Sequence, residues 1–234
     1  LLRLSPEELS AIVAFDTKNT TRSADGTLES TPDLMSAIKN FDSDFLFNSF
    51  RTEVARRGLA EFVLDHVIPM LVEMSRAWES REISIQQEHF ASEALRDFLS
   101  TEWRKLTCGP DALRVVCATF PGELHYLGLH MAASIMAVEG VRVLFLGPDL
   151  PITATVEAAQ TSNAHAVVIS CSVFSDFEEN QLMLAELCDG LPPGTEVWVG
   201  GMGVASAVPG VRRFEQLTEF RRFVTSRVVT ATRD

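Results

Sequence analysis

LRVVCATFPGELHYLG, residues Leu113 to Gly128, begins as a strand and ends as a helix. Leu113 to Ala118 is a short apolar run with adjacent β-branched residues, closed by the turn residues Phe120-Pro121-Gly122. A run this short without polar alternation suits a strand covered on both faces. The helix after it reaches about Glu139 and ends at Gly140. The same alternation then repeats. Val141 to Leu146 reads as a second strand with a helix from Pro151, and Ala166 to Ser170 as a third, with Ser175-Asp176-Phe177-Glu178 capping the next helix. Glu196 to Val199 is a fourth strand closed by Gly200-Gly201, and Arg212 to Glu215 a short fifth before a final helix. Strands alternating with helices give a doubly wound parallel sheet of the α/β class, with ligands expected at the carboxyl ends of the strands.

Upstream of about residue 108 the texture is helical. Ser5-Pro6-Glu7-Glu8 is a capping box opening a helix to Phe15, and the polar stretch Asp16 to Ser30 reads as a linker. Thr31-Pro32 opens another helix, and Asp42 to Arg57 a further one, with Gly58 as its C-cap. Leu59 to Glu79 carries the stripe Leu64, Val67, Ile68, Leu71 and Met74, with Pro69 expected to bend it. Ser84-Ile85-Gln86-Gln87 is a second capping box, and its helix presents Phe90, Ala94, Leu95 and Phe98 before ending near Lys105. Four helices joined by short turns predict an antiparallel bundle. The expected organisation is therefore an N-terminal helix and linker over 1–30, a helical bundle over 31–107 and an α/β domain over 108–234.

Composition narrows the function classes. The 234 residues are 46% hydrophobic and 22% charged, and no apolar run approaches the roughly 20 residues that cross a bilayer. A net charge of −12 argues against a phosphate-binding surface, so direct nucleic-acid binding by this chain is not expected. Cys108, Cys117, Cys171 and Cys188 have neither C-x-x-C pairing nor zinc spacing, which reads as reduced thiols in a cytoplasmic protein. No secretory leader is visible, and Leu1 in place of methionine leads us to expect a longer polypeptide.

The chemistry concentrates in Gly122-Glu123-Leu124-His125-Tyr126-Leu127-Gly128. A histidine in the loop after the first strand can offer one ring nitrogen to a metal. A carboxylate two residues earlier can accept from the other nitrogen and so set tautomer and basicity. Gly128 lets a bulky planar ligand approach the backbone. Ser170-Cys171-Ser172 and Gly200-Gly201 follow the third and fourth strands on the same sheet edge. In this order the set resembles the cobalamin-binding fold of methionine synthase and corrinoid proteins, a flavodoxin-like or Rossmann-like domain with D-x-H-x-x-G, Glu123 replacing the aspartate. The resemblance implies cobalamin bound with its dimethylbenzimidazole tail inserted into the protein. It makes His125 the cobalt ligand, with Tyr126, Ser170, Ser172, Gly200 and Gly201 lining the site.

In the helical half, Trp78 and Glu88-His89 are separated by nine residues. This spacing is similar to the upper-ligand pocket of the CarH/LitR photoreceptors, where a four-helix bundle caps adenosylcobalamin. The resemblance implies that Trp78 packs against the 5′-deoxyadenosyl group beside Glu88 and His89. Light-sensing members carry a histidine directly after the tryptophan that ligates cobalt once the adenosyl group is lost; here Glu79 stands there. His66, His130 and His165 are expected in structural or surface roles.

Three readings follow. One is a sensory domain with adenosylcobalamin as chromophore, signalling through domain or oligomer rearrangement or a partner protein, and not an enzyme, since no base–nucleophile pair is visible. In such relatives a MerR-type helix-turn-helix often precedes the bundle, and Leu1 to Phe15 resembles the tail of such a module. The second is a corrinoid carrier for methyl transfer. The third is a sensor binding another tetrapyrrole, haem or bilin, with or instead of cobalamin; the Glu79 departure keeps it open.

Overall fold

The computed structural model describes residues 31–172, 175–204 and 208–231. The helix and linker expected before residue 31 lie outside them. The chain divides into two compact units, Leu1–Phe98 and Leu99–Asp234.

The described part of the first unit is helical: α1 (Thr31–Lys39), α2 (Ser43–Arg57), α3 (Leu59–Phe62), a π turn (Val63–Val67), α4 (Ile68–Glu79) and α5 (Ile85–Trp103), whose last turns belong to the second unit. The caps are local chemistry. Asp42 accepts from the Phe45 amide at 2.9 Å, and Gln87 accepts from the Ser84 amide at 2.7 Å, the return bond of a capping box. Gln87 Nε2 also donates to the Lys39 carbonyl, tying α5 to the end of α1. Gly58, at φ +88, closes α2 and opens α3.

Pro69 produces a π turn directly upstream of itself. It has no amide hydrogen to give and its ring crowds the carbonyl four residues back, so the turn before it widens, with the Ile68 amide reaching Val63 O. The widening changes which side chains face inward. Val63, Val67, Met70, Met74 and Ala77 are buried, whereas Leu64, Ile68 and Leu71 of the expected stripe are only half-buried. His66, in the π turn, stacks on Phe62 and lies 3.9 Å from Glu53. Burial, opposed by Glu53 and reinforced by Arg57, holds its pKa below the ordinary histidine value. It is a neutral packing group.

The second unit is a five-stranded parallel sheet of β1 (Arg114–Ala118), β2 (Arg142–Gly147), β3 (Ala166–Ser170), β4 (Glu196–Gly200) and β5 (Val211–Phe214) in the order β2-β1-β3-β4-β5. The helices are α6 (Leu127–Val138), α7 (Ile152–Ser162), α8 (Phe177–Gly190) and α9 (Leu217–Ala231). Val116, Ala118, Val167, Ile169, Val197 and Val199 pack with Ile152, Ala159, Leu184 and Leu187 of α7 and α8. Val115, Cys117, Ala166, Val168 and Trp198, on the alternate face, are buried as well. Burial on both faces is why these strands read as unbroken apolar runs. In this order the chain reverses winding direction between β1 and β3, and the crevice outside that point is where such sheets bind ligands.

The rings of Phe50, Phe62 and Phe98 meet at 5.3–5.7 Å in the core of the first unit. Phe50→Ala is therefore expected to cost about 3–5 kcal/mol in urea unfolding. Phe45→Ala, five residues earlier and 40% exposed, should change stability by no more than about 0.5 kcal/mol.

Candidate functional site

Thr119 to Tyr126 connect β1 to α6 at the reversal point. The β1–β2 register slips between Cys117 and Ala118, so that Ala118 pairs with Gly147. This brings the end of β2 onto the loop. The Asp149 amide donates to Thr119 Oγ1 at 3.0 Å and to Glu123 O at 3.2 Å; the Thr119 hydroxyl donates to Glu123 O at 2.7 Å; and Asp149 Oδ1 accepts from the Gly122 amide at 2.8 Å. Gly122, at φ +79, turns the chain so that the Glu123 side chain enters the protein, where the residue is 4% exposed.

The buried carboxylate joins two loops. Its Oε1 accepts from the His125 amide at 2.8 Å and from His125 Nδ1 at 2.7 Å. Its Oε2 accepts from the Ser172 amide, in the loop after β3, at 2.8 Å. Burial pushes the Glu123 pKa up, but the hydrogen bonds from His125 and Ser172 prevail and hold it below the ordinary carboxylate value. An ionised acceptor 2.7 Å from Nδ1 keeps the proton there, so the lone pair of this imidazole resides on Nε2. Ser172 Oγ lies 3.4 Å from the same Nδ1. The arrangement is a tautomer-fixed nitrogen donor backed by an anion, as metal-bound histidines have.

The remaining α/β residues gather at the same edge with distinct roles. Gly128, in the first turn of α6, lies beside Ser170, whose Oγ would stand 3.4 Å from a Cβ at that position. Ser170 ends β3 opposite Gly200 of β4, and a Cβ on Gly200 would meet nothing within 4 Å. Gly201 serves the protein's own packing: at φ +95, a Cβ there would sit 2.1 Å from the Cys171 carbonyl oxygen. Asp176, with its side chain accepting from the Glu178 and Glu179 amides, is the N-cap of α8. Ser175 instead donates to the Ser172 carbonyl. The Tyr126 ring packs against His130, which is buried, stacks on Phe145 and accepts from Trp103 Nε1 at 3.3 Å. His165 Nδ1 accepts from the Arg114 amide. Burial pushes the Cys171 thiol up to about 12, making it a poor nucleophile.

In the helical unit Trp78 is half-buried in the last turn of α4, followed by exposed Glu79. Glu88 and His89 lie in the first turns of α5 and pair with each other, His89 Nδ1 to Glu88 Oε2 at 2.6 Å, while Ser92 donates to Glu88 Oε1. Two contributors to the α/β site, Thr119 and Asp149, escaped the sequence reading. The available signal was Gly147-Pro148-Asp149, a turn after β2 in which aspartate tolerates the left-handed conformation seen at φ +57.

Residues 113–213 match a family model described as a B12 binding domain, and residues 9–101 match a second model of the same description. The chain carries cobalamin-binding domains. It is 32% identical over 138 residues to the HTH-type transcriptional repressor CarH of Myxococcus xanthus, a match covering 59% of this chain and 46% of that protein. The chain thus spans less than half the length of that relative. It is 25% identical over 180 residues to trimethylamine corrinoid protein 1 of Methanosarcina acetivorans, covering 72% of this chain and 81% of that one. Its fold is shared with the monomethylamine corrinoid protein of Methanosarcina barkeri, at a TM-score of 0.62 and 15% identity over 83% of this chain and 96% of that one. Among the described residues no helix is long and apolar enough to cross a membrane.

Replacing Glu123 strands the Ser172 and His125 amides that it satisfies. Glu123→Ala is expected to lose roughly 1–3 kcal/mol of stability at pH 7. Because the folded-state pKa is depressed, the ionised carboxylate stabilises the protein at pH above about 4.5, and this contribution is lost as pH falls through the folded value. Urea unfolding of native protein and Glu123→Ala should therefore converge toward acid. A gap that stays constant from pH 7 to 4 would contradict this electrostatic account.

Proposed function

We propose that the chain is a light-responsive regulatory module using adenosylcobalamin as chromophore, with His125 Nε2 as the lower axial ligand. The observation that carries the ligand assignment is the bond from His125 Nδ1 to ionised Glu123, which leaves Nε2 as the donor nitrogen at the sheet's ligand-binding edge. Bound adenosylcobalamin would supply a cobalt–carbon bond that visible light cleaves. The residues of the chain supply everything else. Glu123 keeps the His125 proton on Nδ1; Ser170, Ser172 and Gly200 would border the tail and corrin edge, and Tyr126 would border the corrin beside His125. Carried over from the resemblance, the helical unit would serve as the four-helix cap, with Trp78 covering the adenosyl group beside Glu88 and His89. Support comes from the tryptophan–glutamate–histidine spacing and the similarity to a transcriptional repressor. Loss of the group that Trp78 covers would free the cap to change its contacts with a second copy or an output partner.

A carrier for methyl transfer is the second reading, favoured by the similarity to trimethylamine corrinoid protein over 81% of that protein's length. Trp78 separates the two. As a cap on the adenosyl group it gives a dark-state preference for adenosylcobalamin over methylcobalamin. In Trp78→Ala this preference should fall by about tenfold, equivalent to about 1.4 kcal/mol. Green light should shift the assembly state of the loaded native protein in size-exclusion chromatography. Equal binding of both cobalamins by both proteins, with no light-dependent shift, would establish the carrier reading instead.

A further inference from the structure

The loop after β2 contains no residue of the expected cofactor set, yet Asp149 makes three hydrogen bonds to the β1–α6 loop. Its carboxylate holds the Gly122 amide, and its own amide holds both Glu123 O and Thr119 Oγ1. The Thr119 side chain, 1% exposed, adds a second bond to Glu123 O. The backbone on both sides of the Gly122–Glu123 peptide is thus gripped from one direction. Asp149 does this at φ +57, a conformation that a side-chain-bearing residue adopts at a cost unless local bonds compensate.

We infer that Asp149, acting with Thr119, is a positioning residue for His125: it sets the backbone of Glu123 so that the carboxylate reaches Nδ1 and Ser172 together, and so fixes which imidazole nitrogen is the donor. The order of action is Asp149 to the Gly122–Glu123 backbone, Glu123 to Nδ1, and Nδ1 to the lone pair on Nε2. Only the last part of this inference rests on the cobalamin reading; the tautomer is a property of the chain alone. A residue that merely closed a surface turn would leave the His125 ring untouched.

Three variants separate the possibilities. Asp149→Gly keeps the left-handed backbone free of strain and deletes only the acceptor, so folding is retained. Asp149→Asn keeps a side-chain oxygen and tolerates the same backbone. Thr119→Val deletes the buried hydroxyl at nearly constant volume. The first measurement is the pair of ¹⁵N ring shifts of His125 in protein without cobalamin. Native protein and Asp149→Asn should show the Nδ1–H tautomer, and Asp149→Gly and Thr119→Val a mixture containing Nε2–H. The second is binding of adenosylcobalamin followed by absorption. Asp149→Gly should bind about tenfold more weakly, the lower end of what supporting shells of metal ligands contribute, with a spectrum moved toward the base-off form. An unchanged tautomer in Asp149→Gly and Thr119→Val, or failure of Asp149→Asn to restore it, overturns the inference while leaving the proposed function standing. Absence of any adenosylcobalamin binding by native protein defeats the proposed function and leaves the tautomer comparison to decide the inference.

Discussion

The carboxylate of Glu123 is buried between two loops and accepts hydrogen bonds from both, from His125 on one side and Ser172 on the other. A lone buried anion would be costly, and three donors within 2.8 Å compensate it. The consequences are structural and chemical together. The loop after β1 is held to the loop after β3 across the point where the sheet reverses its winding. The same bonds fix the orientation and tautomer of His125. The fold supplies the crevice, and this one side chain determines what the crevice presents.

Glutamate stands where the corrinoid-protein pattern has aspartate, and its extra methylene has to be accommodated. Gly122, at φ +79, and the bonds from Asp149 and Thr119 hold the backbone on either side of Glu123. Further along the edge, the spacing of Gly201 and Gly203 against the Cys171 and Ser172 carbonyls lets the loop after β4 lie directly on the loop after β3. Asn180, buried in α8, donates to Ser175 and to the Gly203 carbonyl and ties those loops to a helix. Strand ends β1, β3 and β4 are therefore joined by polar contacts above an apolar sheet, a rigid base for a ligand that has to be held by one nitrogen.

The parts of this arrangement that were legible in the sequence are those encoded by near neighbours. The strand runs, the Gln87 return bond and the two-residue spacing of Glu123 and His125 all depend on residues a few positions apart. The parts that escaped depend on distant ones. Asp149 meets Gly122 across 27 residues, and nothing in the local pattern of either announces the other. Pro69 was legible as a disturbance, but not the form it takes, a π turn that leaves Leu64, Ile68 and Leu71 half-buried. Ser175 and Asp176 both suit a helix cap by residue type; the nearby Ser172 carbonyl engages Ser175, and Asp176 becomes the cap. Gly201 shows the converse, a glycine expected at the ligand whose missing Cβ makes room for the Cys171 carbonyl.

The measurement that bears most directly on the central claim is electron paramagnetic resonance of the protein loaded with cob(II)alamin, comparing ordinary protein with protein grown on ¹⁵N-histidine. An axial imidazole transmits the nuclear spin of its bound nitrogen to the unpaired electron on cobalt. With His125 Nε2 as the lower ligand, the nitrogen splitting changes from triplets to doublets on labelling and disappears in His125→Ala. Triplets that persist in the labelled protein would assign the axial nitrogen to the cofactor's own dimethylbenzimidazole, and the role given to Glu123 and His125 would be wrong.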